Sequence, residues 1–296
     1  MKKALKRCFA LIFAFTFIFL MLPTSASAVN YTKNEFRLFG VGDKNLYSYT
    51  SKDIYVSATK LSEKALIINS QLYVPVRAFS DATVDSAKVT YNSNTRTITV
   101  TGVGLTLTAT DGAYVVWANG RALFSTTPVT ILSNGRMYAP LSTLAKAFGL
   151  RFSDGESGIS VHGRYSALLP AEKFYRDDEV LWLARIISAE SRGEPLIGQI
   201  AVGNIIMNRV ASRDFPNTIY SVIFDRKYGV QFTPVANGTI YNTPGYTETL
   251  AAKICLEGTR LSEDILFFLA PKYSTSFWIV NTRKYAFSIG GHDFFE

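Results

Sequence analysis

Residues 177–195 read DDEVLWLARIISAESRGEP, an apolar stretch that opens on three acids and closes on Gly193 and Pro195. Acids at the start and glycine at the end are helix start and stop signals, so the run predicts a helix that ends near Gly193. At about 100° per residue, Glu190 falls on the line of Leu183, with Ile186 and Ile187 on either side. Its carboxylate therefore continues the apolar stripe that faces the core, while Arg185 and Arg192 share another face. One reading of Glu190 is a cap or ion-pair partner at a buried helix end. The other is a general acid: apolar walls and a negative helix end raise a carboxyl's pKa, as proton donation near neutral pH requires. Glu194, between Gly193 and Pro195, is better placed to fix the turn, with Arg209 or Arg192 as its candidate partner.

The segments that follow continue a helical grammar. LIGQIAVGNIIMNRVAS has apolar residues at 197, 200, 201, 205 and 206 and predicts a second helix closed by Asn208 and Arg209, where structural pairing is the expected job. FPNTIYSVIF predicts a short third helix, and TETLAAKICLEG a fourth ended by Gly258. ILFFLAP and SFWIV read as β. Between the third and fourth helices, DRKYGVQFTPVANGTIYNTPG is a connection of about 20 residues, long enough to suggest a binding loop.

Before residue 163 the chain reads as strands and turns. RTITVTGVGLTLTAT alternates Thr with Ile, Val and Leu, and AYVVWANGRALF breaks at the turn pair Asn119-Gly120. Helical pieces are short, PVRAFSDA and PLSTLAKAFG, each opening on a proline. They also mark a duplication. LYVPVRAF…VTYNSNTRTITV returns as MYAPLSTL…LRFSDGESGISV, each unit running strand, short helix, strand, turn, strand. This region resembles the copper amine oxidase-like N-terminal domain, an accessory module of secreted proteins. Copper sites draw on His, Cys or Met clusters, and the segment holds one histidine, His162, so it is read as metal-free and non-catalytic, with the cell wall as its candidate ligand. The expected layout is a signal peptide at 1–28, the duplicated module at 29–163, a linker at 164–176 and a second domain at 177–296.

The signal-peptide reading rests on a basic start (MKKALKR), an uncharged apolar run (CFALIFAFTFIFLML) and the small-residue end Ala26-Ser27-Ala28. The apolar run is short for a spanning helix, so export with cleavage after Ala28 is expected. Lys2, Lys3, Lys6 and Arg7 leave with it, which halves the formal charge of +8 and gives nucleic-acid binding no support. Cys255 is then the sole cysteine, read as a small buried side chain.

ARIISAESRGEP, GQIAVGNIIMNRV, FPNTIYSVIF, QFTPVANG and SIGGHDFF occur in the order found in the SleB/CwlJ-type cell wall hydrolases, which the second half resembles. That resemblance implies an α+β architecture: a lysozyme-like, mainly helical domain with a small β region, behind the β-rich duplicated module. It implies an enzyme, with no cofactor expected, that cuts peptidoglycan glycan strands with Glu190 as the catalytic glutamate; with the signal-peptide reading, its expected place is the cell envelope or the spore. Lytic transglycosylation fits a single acid/base, because the attacking hydroxyl belongs to the substrate; ordinary glycosidases need a second carboxylate. Gln231, Phe232 and Thr233 are the expected cleft residues. Glu194, Arg209 and His292 are expected to support the fold, His292 lacking a Ser or Cys partner. Ser191 and Ala270 depart from the family pattern, which puts a cleft contact at Ala270 in doubt. The competing reading is a non-catalytic wall- or coat-binding protein on a degenerate hydrolase fold. A zinc amidase is disfavoured by two histidines, one in each half. Cortex or vegetative wall as substrate, and the oligomeric state, stay open.

Overall fold

A computed structural model describes residues 49–227, 229–274 and 278–296. The expected signal peptide and the first part of the accessory module lie outside the described residues. The strands of the first half are β1 (Thr50–Lys52), β2 (Ile54–Val56), β3 (Thr59–Lys60), β4 (Ala65–Ile68) and β5 (Gln71–Pro75), followed by α1 (Val76–Thr83). Then come β6 (Lys88–Asn92), β7 (Thr97–Gly102), β8 (Leu105–Thr110), β9 (Val115–Ala118), β10 (Arg121–Phe124), β11 (Thr130–Ile131) and β12 (Met137–Pro140). Helix α2 (Leu141–Ala147), β13 (Arg151–Gly155) and β14 (Gly158–His162) complete this half.

The strands form three sheets, in the orders β1-β4-β5-β12-β11, β10-β9-β8-β7-β6 and β13-β14-β2-β3. The repeat read in the sequence is visible in space. β5-α1-β6-β7 and β12-α2-β13-β14 have the same order of elements, and β5 and β12 pair antiparallel with Val74 opposite Ala139. Both helices are entered through a proline, Pro75 and Pro140, which sits one residue before the first helical position. The apolar side chains of β7 and β8 point alternately inward, Ile98, Val100, Leu105 and Leu107 joining Phe79, Leu144 and Phe148 in one core. Asn119 and Gly120 make the predicted turn between β9 and β10, both with positive φ.

The second half is α3 (Ala171–Phe174), α4 (Asp177–Ser191), α5 (Leu196–Ala211), α6 (Ile219–Ile223), α7 (Thr233–Asn237) and α8 (Tyr246–Leu256), then β15 (Phe267–Leu269), α9 (Trp278–Thr282), β16 (Tyr285–Ile289) and β17 (His292–Phe295). α4, α5 and α8 pack on one another around Leu183, Ile186, Ile187, Ile200 and Ile254. The approach at Gly203 is close: a Cβ there would stand 2.6 Å from Cys255 Sγ and 2.9 Å from Ile187 Cδ1. Cys255 is buried and burial pushes its thiol up to about 12, so it behaves as a packing group. The final strands form a sheet in the order β15-β17-β16, whose Phe294 packs on Ala201 and Ile205 of α5.

One sequence expectation is corrected here. SFWIV was expected to be β, yet residues 278–282 form the short helix α9, which Thr282 Oγ1 closes by donating to the Trp278 carbonyl (2.7 Å). Trp278 lies edge-on to Phe267 at 5.9 Å and beneath the Arg283 guanidinium. Within the long connection after α6, the short helix α7 and a 3-10 turn at Thr239–Tyr241 fold.

The two halves share a buried contact. Tyr114, Val115 and Ala122 of the first half belong to the same apolar cluster as α4 and α8. Beside it, Arg121 donates two hydrogen bonds of 2.8 Å to the Glu257 carboxylate. Lys146 Nζ stands 3.0 Å from Glu257 Oε2, and Tyr175 Oη donates to Oε1 at 2.8 Å. Burial pushes the Glu257 carboxyl up, but the hydrogen bonds from Arg121, Tyr175 and Lys146 outweigh it and hold the group below its ordinary value. Residues 164–176 are therefore a packed connection, with Tyr165 and Leu168 resting on the first core.

Candidate active site

Helix α4 places Glu190 one residue before its last position, at the end of a buried stripe. Leu183, Ile186 and Ile187 are fully buried, and Glu190 is partly buried at the wall of a cleft of about 1140 Å³. Burial alone raises its carboxyl from 4.5 to about 7. A group with that value is about half protonated at neutral pH, so it can give a proton and take one back. Gly193, with φ at +89°, ends the helix and turns the chain into α5.

The cleft brings together residues far apart in sequence. Gln231, Phe232 and Thr233 line it from the entry to α7, Arg209 from the last turn of α5, and His292 from the start of β17. Ala270, the position where the sequence departs from the resembling family, also lines it. Phe232 is buried at 3% exposure, so its ring forms wall more than platform. Exposed aromatics stand at the rim instead, Tyr273 at 77% and Trp278 at 52%. Sequence reasoning missed these two, and also Asp214, Asp225, Lys227 and Arg283 in the same cleft. Asp225 and Lys227 sit in the long connection that was singled out, and only their side-chain direction was unreadable.

Glu194 lies outside the cleft lining, and its partners are not those its spacing pointed to. Its Oε2 accepts a 3.0 Å hydrogen bond from the Gly291 backbone N–H, and its Oε1 is 3.7 Å from His292 Nδ1. Arg192 instead donates to Ser188 Oγ and to the Thr243 carbonyl, each at 2.9 Å. Arg209 Nε donates to the Leu266 carbonyl at 2.9 Å. The reason is steric. The β16–β17 turn presents two glycines to Glu194, and a Cβ on Gly290 would stand 1.7 Å from its Oε2. Glu194 thus ties the α4–α5 turn to the β16–β17 turn that carries His292. Burial lowers the His292 imidazole, while the Glu194 carboxylate and a backbone contact with Glu190 pull the other way. Among the described residues, no group of three or more His, Cys, Asp or Glu side chains could hold a metal ion.

The comparisons with known proteins follow the same division of the chain. Residues 193–295 match a family described as Cell Wall Hydrolase, and residues 54–162 one described as Copper amine oxidase N-terminal domain. The first match begins just past Glu190. A spore cortex-lytic enzyme of Bacillus cereus is 40% identical over 120 residues, which is 40% of this chain and 45% of that protein. The cell wall hydrolase CwlJ of Oceanobacillus iheyensis is 31% identical over 102 residues, 32% of this chain and 71% of that protein. Among solved structures, the catalytic domain of the germination-specific lytic transglycosylase SleB from Bacillus anthracis is 37% identical. It covers 43% of this chain and 100% of that one, with a TM-score of 0.38. The chain spans less than half the length of the Bacillus cereus relative.

Proposed function

The chain belongs to the cell wall hydrolase family, and on that premise we propose that it is an exported enzyme that cleaves the glycan strand of peptidoglycan between MurNAc and GlcNAc. The observation that carries this reading is the carboxyl of Glu190, partly buried at the end of a helix in a cleft, where burial pushes it up to about 7. Glu190 protonates the glycosidic oxygen as its bond to the muramic acid C1 breaks. The resulting carboxylate then takes the proton of the C6 hydroxyl of the same sugar, whose oxygen bonds to C1 and closes a 1,6-anhydro ring. One residue serves as acid and then as base, and no water is consumed.

Spore cortex is the favoured substrate, because the relatives that match along the second half are named for lysing it. The accessory module is assigned to wall binding, and the site of action to the cell envelope or the spore. Asp214 and Asp225 line the same cleft and keep hydrolysis as a second reading, in which one of them activates water opposite Glu190. Mass spectrometry of fragments released from purified cortex and vegetative peptidoglycan tests both points. Anhydromuramic ends, released faster from cortex, are the expected result. Reducing muramic ends would establish hydrolysis, and release of free peptides without glycan cleavage would overturn the assignment.

A further inference from the structure

Arg209 is a cation that the fold leaves only half engaged. It is buried at 5% exposure in the wall of the Glu190 cleft, and its Nη1, itself shielded from solvent, has no hydrogen-bond partner. Its Nε is used, donating to the Leu266 carbonyl, and this bond fixes the plane of the guanidinium. Among the described residues, three rings lie around it: Phe215 at 4.9 Å, Phe232 at 5.2 Å and Phe267 at 5.5 Å. Ring faces attract a cation but accept N–H bonds poorly, so they hold the charge without satisfying its donors. Among the described residues no carboxylate lies within ion-pair distance of it, although Asp225 is near enough to favour its charge. Leaving a buried guanidinium unpaired is expensive, and such a group is retained where something arrives to pair with it.

The surroundings indicate the sign of that visitor. Arg213, Lys227 and Arg283 line the same cleft, against Asp214, Asp225 and a Glu190 that is half neutral at pH 7. A neutral sugar hydroxyl gains little from such a field, whereas a carboxylate gains charge-assisted hydrogen bonding from the guanidinium.

We propose that Arg209 is a carboxylate-binding, specificity-determining residue that engages an acidic group of the glycan substrate, so that the cleft selects muramic acid residues bearing a free carboxylate. The inference rests on the glycan-cleaving reading and deepens it. Two groups of the polymer supply this chemistry, the carboxyl of the lactyl ether where the peptide is removed and the carboxyls of an attached peptide.

Binding is measured with the full chain carrying Glu190→Gln, so that no cleavage intervenes. Three soluble glycan fragments serve as probes: one with free lactyl carboxyls, one with peptide stems, and one whose carboxyls are all converted to carboxamides. One of the first two is expected to bind about tenfold or more tightly than the carboxamide form. Whichever does so identifies the source of the carboxylate. Adding Arg209→Gln should abolish the preference, and Arg209→Lys should restore part of it through charge alone. Equal affinity for all three probes, or a preference that survives Arg209→Gln, overturns the proposal. Should the Arg209 variants fail to fold, the preference of the parent Glu190→Gln chain still decides. A protein that cleaves glycan without carboxylate preference refutes only Arg209. One that keeps the preference yet cleaves no glycan refutes the enzymatic reading instead.

Discussion

Glu190 is held in a position that favours its neutral form, and two consequences follow from one cause. Burial raises the carboxyl from 4.5 in the unfolded chain to about 7 in the folded one. Below the lower value the group is neutral in both states and pH has no hold on stability through it. Between the two values the unfolded chain ionises first, so stability falls as pH rises, by up to about 3 kcal/mol once the folded group is also charged. Glu190→Gln removes this penalty. Urea denaturation should find the variant more stable than the parent at pH 8 and equal to it near pH 4. The same titration governs chemistry, since proton donation needs the acid form: wall-degrading activity should decline as pH rises through about 7. Much of this was legible beforehand. The helical projection put Glu190 on the line of Leu183, and helix α4 has that line buried. Illegible were residues such as Asp225 and Trp278, whose convergence on the cleft is made by packing between segments and leaves no local pattern.

Between elements, the contact of the α4–α5 turn with the β16–β17 turn governs where His292 stands. Glu194 accepts from the Gly291 N–H, and Gly290, with φ at +57°, leaves room for its carboxylate. Gly290→Ala would drive a methyl into that carboxylate and strain a left-handed backbone, so a loss on the order of 2 kcal/mol is expected, read as a fall in Tm. The His292 ring should shift in the NMR spectrum at the same time. Unchanged Tm and an unchanged His292 signal would show that Glu194 does not hold the turn. The pairing of Glu194 with Arg192 or Arg209 failed because it ranked charged partners near in sequence or in the next helix, and the partner is a backbone N–H in the β16–β17 turn, 97 residues on. Strands β16 and β17 were missed for a related reason: β17 is the central strand of its sheet, paired to both β15 and β16, and its Phe294 packs on α5, so its alternation is weak. The duplicated strand–helix–strand units were read because proline, turn pairs and alternating Thr leave local signals.

At the scale of the whole molecule, the accessory half is joined to the cleft-bearing half by a buried charge cluster as well as by chain. Removing the carboxylate in Glu257→Ala leaves Arg121 buried without its bidentate partner, a change that destabilises by about 3–5 kcal/mol. Calorimetry of the parent should show one cooperative transition, and the variant two, as each half melts by itself. A single unshifted transition in Glu257→Ala would mean that the apolar contact of Val115 and Ala122 suffices. The carboxyl of Glu257 is held below its ordinary value, so its stabilisation is present above the carboxylate range and is lost on acidification through the lowered value. The sequence carried no sign of this junction, because Arg121, Lys146, Tyr175 and Glu257 stand in four separate segments with no shared motif.

The most direct test of the whole account is release of soluble fragments from purified peptidoglycan by the parent protein and by Glu190→Gln at equal concentration near pH 6. The parent should release glycan fragments, and Glu190→Gln should be slower by at least about 100-fold while keeping its fold. Release by Glu190→Gln at the parent rate would contradict it.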